Sequence, residues 1–116
     1  MPAREMRMEM FVRALLRRDF SRAKGHLDKL VKIAGGDEWG RGYARAAEGI
    51  MNALKDNDPD SLVVQLVSEG DRERAEDLLR NYRTLATHDF RDDYERGYYT
   101  AWSEFLRAYL NQKTLT

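Results

Sequence analysis

Apolar residues recur along this chain three and four positions apart, charged residues fill the intervals, and period-two alternation is nearly absent. That spacing lays an apolar stripe along one side of an α-helix, so the pattern predicts helices throughout and almost no strand. The first helix is expected over 4–17, where Met8, Phe11, Val12 and Leu15 fall at i, i+3, i+4 and i+7. A second, over 20–34, carries Ala23, Leu27, Leu30, Val31 and Ala34 and stops at Gly35-Gly36-Asp37. A third, over 38–55, contains Trp39, Tyr43, Ala46, Ala47, Ile50 and Leu54. Asn57-Asp58-Pro59-Asp60 marks the sharpest boundary. Asp58 reads as an N-cap, Pro59 as the first helical residue and Asp60 as a favourable charge in the first turn. A short helix over 60–68 then ends at Gly70, Asp71 caps a fifth over 72–86, and a sixth runs from about 92 to 111. The expected fold class is all-α, with six helices in a single domain over 1–116 and a flexible tail at 111–116.

The pattern also repeats. At an offset of 52 residues, Val12, Asp19, Arg22, Ala23, Leu27, Ala34 and Asp37 meet Val64, Asp71, Arg74, Ala75, Leu79, Ala86 and Asp89. At an offset of 55, Arg41-Gly42-Tyr43 meets Arg96-Gly97-Tyr98, followed by Ala46 with Ala101 and Ala53 with Ala108. Self-similarity of this length predicts two tandem three-helix repeats, about 10–55 and 62–110, in repeat-type or helical-bundle packing. A glycine inside a helix costs about 1 kcal/mol against alanine. Two of them at matched places, Gly42 and Gly97, therefore predict close approach of a neighbouring helix backbone. Tyr43, Tyr98 and Trp102 would fill the space beside them.

Gly70–Tyr82 and Arg18–Leu30 resemble the second helix of a tetratricopeptide repeat, and Trp39–Ile50 is similar to its first helix. The repeat here is about 52 residues long, which departs from the 34 of that family. The resemblance implies helical hairpins, a peptide-binding or scaffolding surface, and no catalytic residues.

Composition narrows the classes further. Lys+Arg and Asp+Glu are both 20, which removes the electrostatic case for wholesale nucleic-acid binding. Residues 1–32 nevertheless hold nine basic and four acidic side chains, against eleven and sixteen in the remainder, so a basic first segment faces an acidic body. The absence of cysteine excludes disulfides, thiolate metal sites and cysteine nucleophiles. With no signal-type apolar run and no stretch of bilayer-spanning length, a cytoplasmic location and no membrane association are expected.

Candidate chemistry is sparse. Met6, Met10, Arg13 and Arg17 form a second face of the first helix, opposite its core stripe, where adaptable methionines could bind a partner or a second copy of the chain. His88, Asp89, Asp92 and Asp93 could suggest a metal site, but their place before the sixth helix fits acidic residues at a helix N-terminus instead. Arg83 and His88 share the Arg-x4-His spacing of HEPN-type helical ribonucleases, a resemblance that would assign His88 to acid–base work and Arg83 to phosphate. Gln112-x-x-Leu115 resembles the opening half of a sliding-clamp docking peptide. No phosphate-binding glycine loop or Ser/His/Asp arrangement occurs, so no cofactor is expected. The leading expectation is a non-enzymatic interaction or scaffold module that forms a homo-oligomer. The alternative is a nucleic-acid-associated protein.

Overall fold

The computed structural model describes residues 3–88 and 91–115, with side chains described as far as residue 112. Six helices occur among the described residues: α1 (Ala3–Leu16), α2 (Phe20–Ala34), α3 (Glu38–Asp56), α4 (Leu62–Glu69), α5 (Arg72–Thr87) and α6 (Asp93–Leu115). No strand occurs among the described residues. The element order and all-α class follow the hydrophobic period.

Aspartates set most of the helix starts. Asp19, Asp37, Asp71 and Asp92 each accept a hydrogen bond from the backbone N–H three residues on, at Arg22, Gly40, Arg74 and Glu95. Each such cap contributes on the order of 1 kcal/mol by satisfying an orphan donor of the first turn. Two of these starts follow a left-handed residue directly: Arg18 (φ 58°) precedes Asp19, and Gly70 (φ 64°) precedes Asp71. At Gly70 that conformation is free of a Cβ clash, whereas at Arg18 it costs about 1 kcal/mol or more. Two contacts offset the strain. The Arg18 guanidinium donates to Leu54 O at 3.3 Å, at the end of α3, and lies 5.0 Å from the Phe20 ring centroid.

Two boundaries differ from the sequence reading. Asp58 does not cap a helix beginning at Pro59; its Oδ1 accepts from Asp60 N, and Ser61 N donates to Asp58 O, closing a turn. This Asx-type hydrogen bond satisfies the local backbone without helix, and α4 begins only at Leu62. At the other end α6 continues to Leu115, so residues 111–115 of the expected tail are helical.

The core is one apolar cluster with the α3–α6 crossing at its centre, and α2 packs on α3 and α5 on α6. Met8, Phe11, Val12 and Leu15 are all buried, and α1 rests through them and its flanks on α2 and α6. α4, only eight residues long, packs on α3.

At the crossing the two helices approach through glycine. A Cβ on Gly42 would overlap the carbonyl oxygen of Tyr94 and come within 2.8 Å of its carbonyl carbon. A Cβ on Gly97 would overlap the carbonyl oxygen of Trp39 and come within 3.1 Å of Tyr43 N. In the 55-residue register Trp39 corresponds to Tyr94 and Gly42 to Gly97, so the contact is reciprocal, as across a two-fold axis. Gly49 lies on the same side of α3 but is exposed and meets nothing within 4 Å. Gly40, which sequence reasoning passed over, is equally tight against Gly35 O and Ala34 O.

These geometries set opposite expectations for one substitution. Gly42→Ala and Gly97→Ala push against backbone, which cannot rotate away, and should each destabilise by about 2 kcal/mol or more. Gly49→Ala should be neutral or stabilise by up to about 1 kcal/mol. Denaturant midpoints at constant m-value check all three.

Candidate functional site

Three places bring together residues with chemistry: the outward ridge of α1, a polar network between α1, α3 and α6, and a cavity between α1, α5 and α6. The ridge follows from the helical period. With Met8, Phe11, Val12 and Leu15 turned inward, Met6, Met10, Arg13 and Arg17 face away from the core, and all four are exposed. Met6 is 48% and Met10 40% exposed, and the third exposed large apolar residue among the described residues is Ile33 on α2, at 45%. Beside the ridge, Arg7 Nη1 donates to His26 Nδ1 at 3.0 Å. A guanidinium has only donors, so Nδ1 is the acceptor and Nε2 carries the ring proton. Partial burial, then the nearby Arg7 charge, hold the His26 pKa below its usual value.

The network centres on Glu104. Arg4 donates to both its oxygens, through Nε at 3.2 and 3.0 Å and Nη2 at 2.7 Å, and the Tyr43 hydroxyl donates to Oε1 at 2.6 Å. The Arg4 guanidinium also lies 5.0 Å from the Trp39 ring centroid and 5.6 Å from that of Tyr43. The Glu104 side chain is only 15% exposed, and these three donors supply its hydrogen bonds among the described residues. Burial, and then the neighbouring carboxylate, push the Tyr43 phenol well above its ordinary value and keep it a donor. Sequence reasoning missed Glu104 and the pairing of Arg4 with it, since it set Arg4 with Arg7, Arg17 and Arg18 only as residues that could meet phosphates. The available signal was a lone carboxylate inside the buried run Ala101–Leu110, at the place that Gly49 holds in α3.

Glu104 also stands on the wall of a cavity of about 500 Å³ formed by α1, α5 and α6. Arg83 lines this cavity, but His88 does not; it follows α5 as its C-cap, and its carbonyl accepts from Arg91 N and Arg96 Nε. The structure therefore does not place the two residues of the ribonuclease-type spacing in one pocket. Among the described residues no group of three His, Asp or Glu could hold a metal ion, and Asp89 of the candidate metal set lies outside them. The side chain of Leu115, in the clamp-like tetrad, also lies outside the described side chains. Among the described residues no helix is long and apolar enough to cross a membrane.

The packing residues Gly42, Tyr43, Gly97, Tyr98 and Trp102 lie at or beside the α3–α6 crossing, with Tyr98 half-buried and the rest buried. Arg41 and Arg96, the remaining pair of the repeated tripeptide, differ in use: Arg41 pairs with Glu38 at 3.0 Å, and Arg96 Nε donates to His88 O at 3.4 Å. Nothing in the structure explains why both positions hold arginine.

No family model, no curated protein and no solved structure matches the chain.

The network yields a pH dependence with a fixed sign. A phenol whose pKa is raised by folding retains its proton in the native state after the unfolded chain has released it, so stability is full below the unfolded value of about 10 and declines as pH rises beyond it. Tyr82 and Tyr109, whose values burial also raises, add to the same decline. Tyr43→Phe should cost about 1–2 kcal/mol at neutral pH and flatten the loss above pH 10, read from unfolding titrations of both proteins.

Proposed function

We propose that the chain is a non-enzymatic protein–protein interaction module of the cytoplasm, made from a duplicated three-helix unit, whose partner is a second copy of itself. The observation that carries this reading is the ridge of α1. Two methionines are among the three exposed large apolar side chains of the described residues, and they stand at i and i+4 on the face opposite the core. Methionine is unbranched and polarizable, so it adapts to an apolar partner surface. Arg13 and Arg17 continue the ridge and form no ion pair among the described residues. Charge asymmetry supports a self-partner: residues 1–32 are basic while the remainder of the chain is acidic, so two copies have complementary surfaces to offer.

The duplication reading is supported by the reciprocal glycine contacts and by the paired turns, in which left-handed Arg18 and Gly70 precede Asp19 and Asp71. The tetratricopeptide likeness extends to helical hairpins such as α1–α2 and adds no catalytic residue to the reading.

Light scattering across a concentration series tests self-association. A concentration-dependent dimer is expected, with Met6→Lys plus Met10→Lys weakening it by about ten-fold or more at an unchanged melting temperature. A strict monomer at high concentration, or a double variant that dimerises as the parent does, overturns the reading. The exposed Arg13 and Arg17 favour one second reading, a weak nucleic-acid contact. Salt-sensitive binding of labelled RNA or DNA, lost on Arg13→Glu plus Arg17→Glu, would establish that role instead.

A further inference from the structure

The cavity between α1, α5 and α6 has its own chemistry, separate from the α1 ridge. Its volume of about 500 Å³ falls within the range of small-molecule sites. α6 supplies the floor, and α1 and α5 the walls. Hydroxyls line much of it, yet none offers its proton inward. Thr84 and Thr87 donate to Arg80 O and Arg83 O, both at 3.1 Å, and Thr100 and Ser103 donate to Arg96 O and Tyr99 O at 2.7 and 2.9 Å. With those protons committed to their own helices, the hydroxyl-bearing residues add little donor capacity to the cavity, and Ala86 and Ala108 add apolar lining.

The charged lining residues come from different helices, except that Glu104 shares α6 with Arg107. Glu5 and Glu9 belong to α1, whereas Arg83 belongs to α5 and Arg107 to α6. Glu104 is already paired with Arg4 and accepts a hydrogen bond from Tyr43. Glu9 uses Oε1 to accept from Asn111 at 3.1 Å, and no hydrogen bond occupies Oε2 among the described residues. Neither Arg83 nor Arg107 forms an ion pair among the described residues. A simple anion drawn to the two guanidinium groups would face two carboxylates, and a simple cation would face the reverse. A neutral apolar molecule would desolvate both sets without pairing either.

We infer that this cavity binds a small zwitterion with an apolar body, its carboxylate on Arg83 and Arg107 and its ammonium on Glu5 and Glu9. The guanidinium fork suits a planar carboxylate, while a compact ammonium suits two separate carboxylates.

Amide chemical shifts of the full chain, titrated with ω-aminooctanoate, octanoate and octylamine, test the assignment. The zwitterion should move the amides of Thr84, Thr100, Ser103 and Ala108 and bind about five-fold or more tightly than either single-ended compound. Arg83→Gln plus Arg107→Gln should reduce its affinity to that of octylamine, and Glu5→Gln plus Glu9→Gln to that of octanoate. The Met6→Lys, Met10→Lys protein should bind as the parent does, which separates this site from the ridge. Shifts absent from those amides, equal binding of the three compounds, or indifference to both paired substitutions overturns the inference.

Discussion

The architecture depends on a backbone-to-backbone approach at the α3–α6 crossing, possible only because Gly42 and Gly97 lack a Cβ. Glycine in a helix interior sacrifices about 1 kcal/mol of propensity, so the crossing must return more than that through contact. Its reciprocity has structural consequences. Each helix presents the same small-residue notch and the same aromatic shoulder, Trp39–Tyr43 on one and Tyr94–Tyr98 on the other. A pair that meets this way needs no further device to fix its register, because sliding either helix by one residue sets a Cβ against a carbonyl.

Around this near-symmetric centre the rest of the molecule is unequal. α1 has fourteen residues and packs on both α2 and α6, whereas α4 has eight and packs on α3. The Glu104 network shows the same inequality. A carboxylate stands in α6 where α3 has Gly49, and it recruits Arg4 from α1 and the Tyr43 hydroxyl from α3. Buried ion pairs gain little net stability, since desolvation offsets the attraction. What this one supplies is orientation, since a three-donor arrangement tolerates one placement of α1 against α6. The cavity beside it is bounded by α1 in that placement.

Much of the fold was legible in the sequence. The 3.6-residue period located six helices among the described residues, and Asp71 marked the start of one because its side chain serves as a cap; Asp19 and Asp37 cap in the same way, but the sequence reading did not single them out as caps. The boundary at Asp58 was misread because Asx turns and N-caps use the same residue types; only the backbone that follows distinguishes them. Gly42 and Gly97 stood out by repetition, but a helical wheel could not separate Gly42 from Gly49, because it shows which face a residue is on and not how far along that face a neighbour packs. The pairing of Glu104 with Arg4 escaped notice for a related reason. The two are 100 positions apart, and no local period links a charge on the first helix to one on the last. The sorting of Glu5, Glu9, Arg83 and Arg107 around one cavity is likewise a product of three helices meeting.

The contact between the first helix and the last also orders events during synthesis. Arg4 and Glu9 can meet Glu104, Asn111 and Gln112 only after nearly the whole chain has been made. At about 5–20 residues per second, about 4–20 s pass between the synthesis of α2 and that of α6, and through that interval the side of α1 that packs on α6 is uncovered. Until α6 is made, the notch at Gly42 is also open to any other helix that carries a matching one. A nascent chain of this design is therefore most vulnerable to pairing with a neighbour on the same messenger, and closure of α6 over α1 and α3 ends that interval.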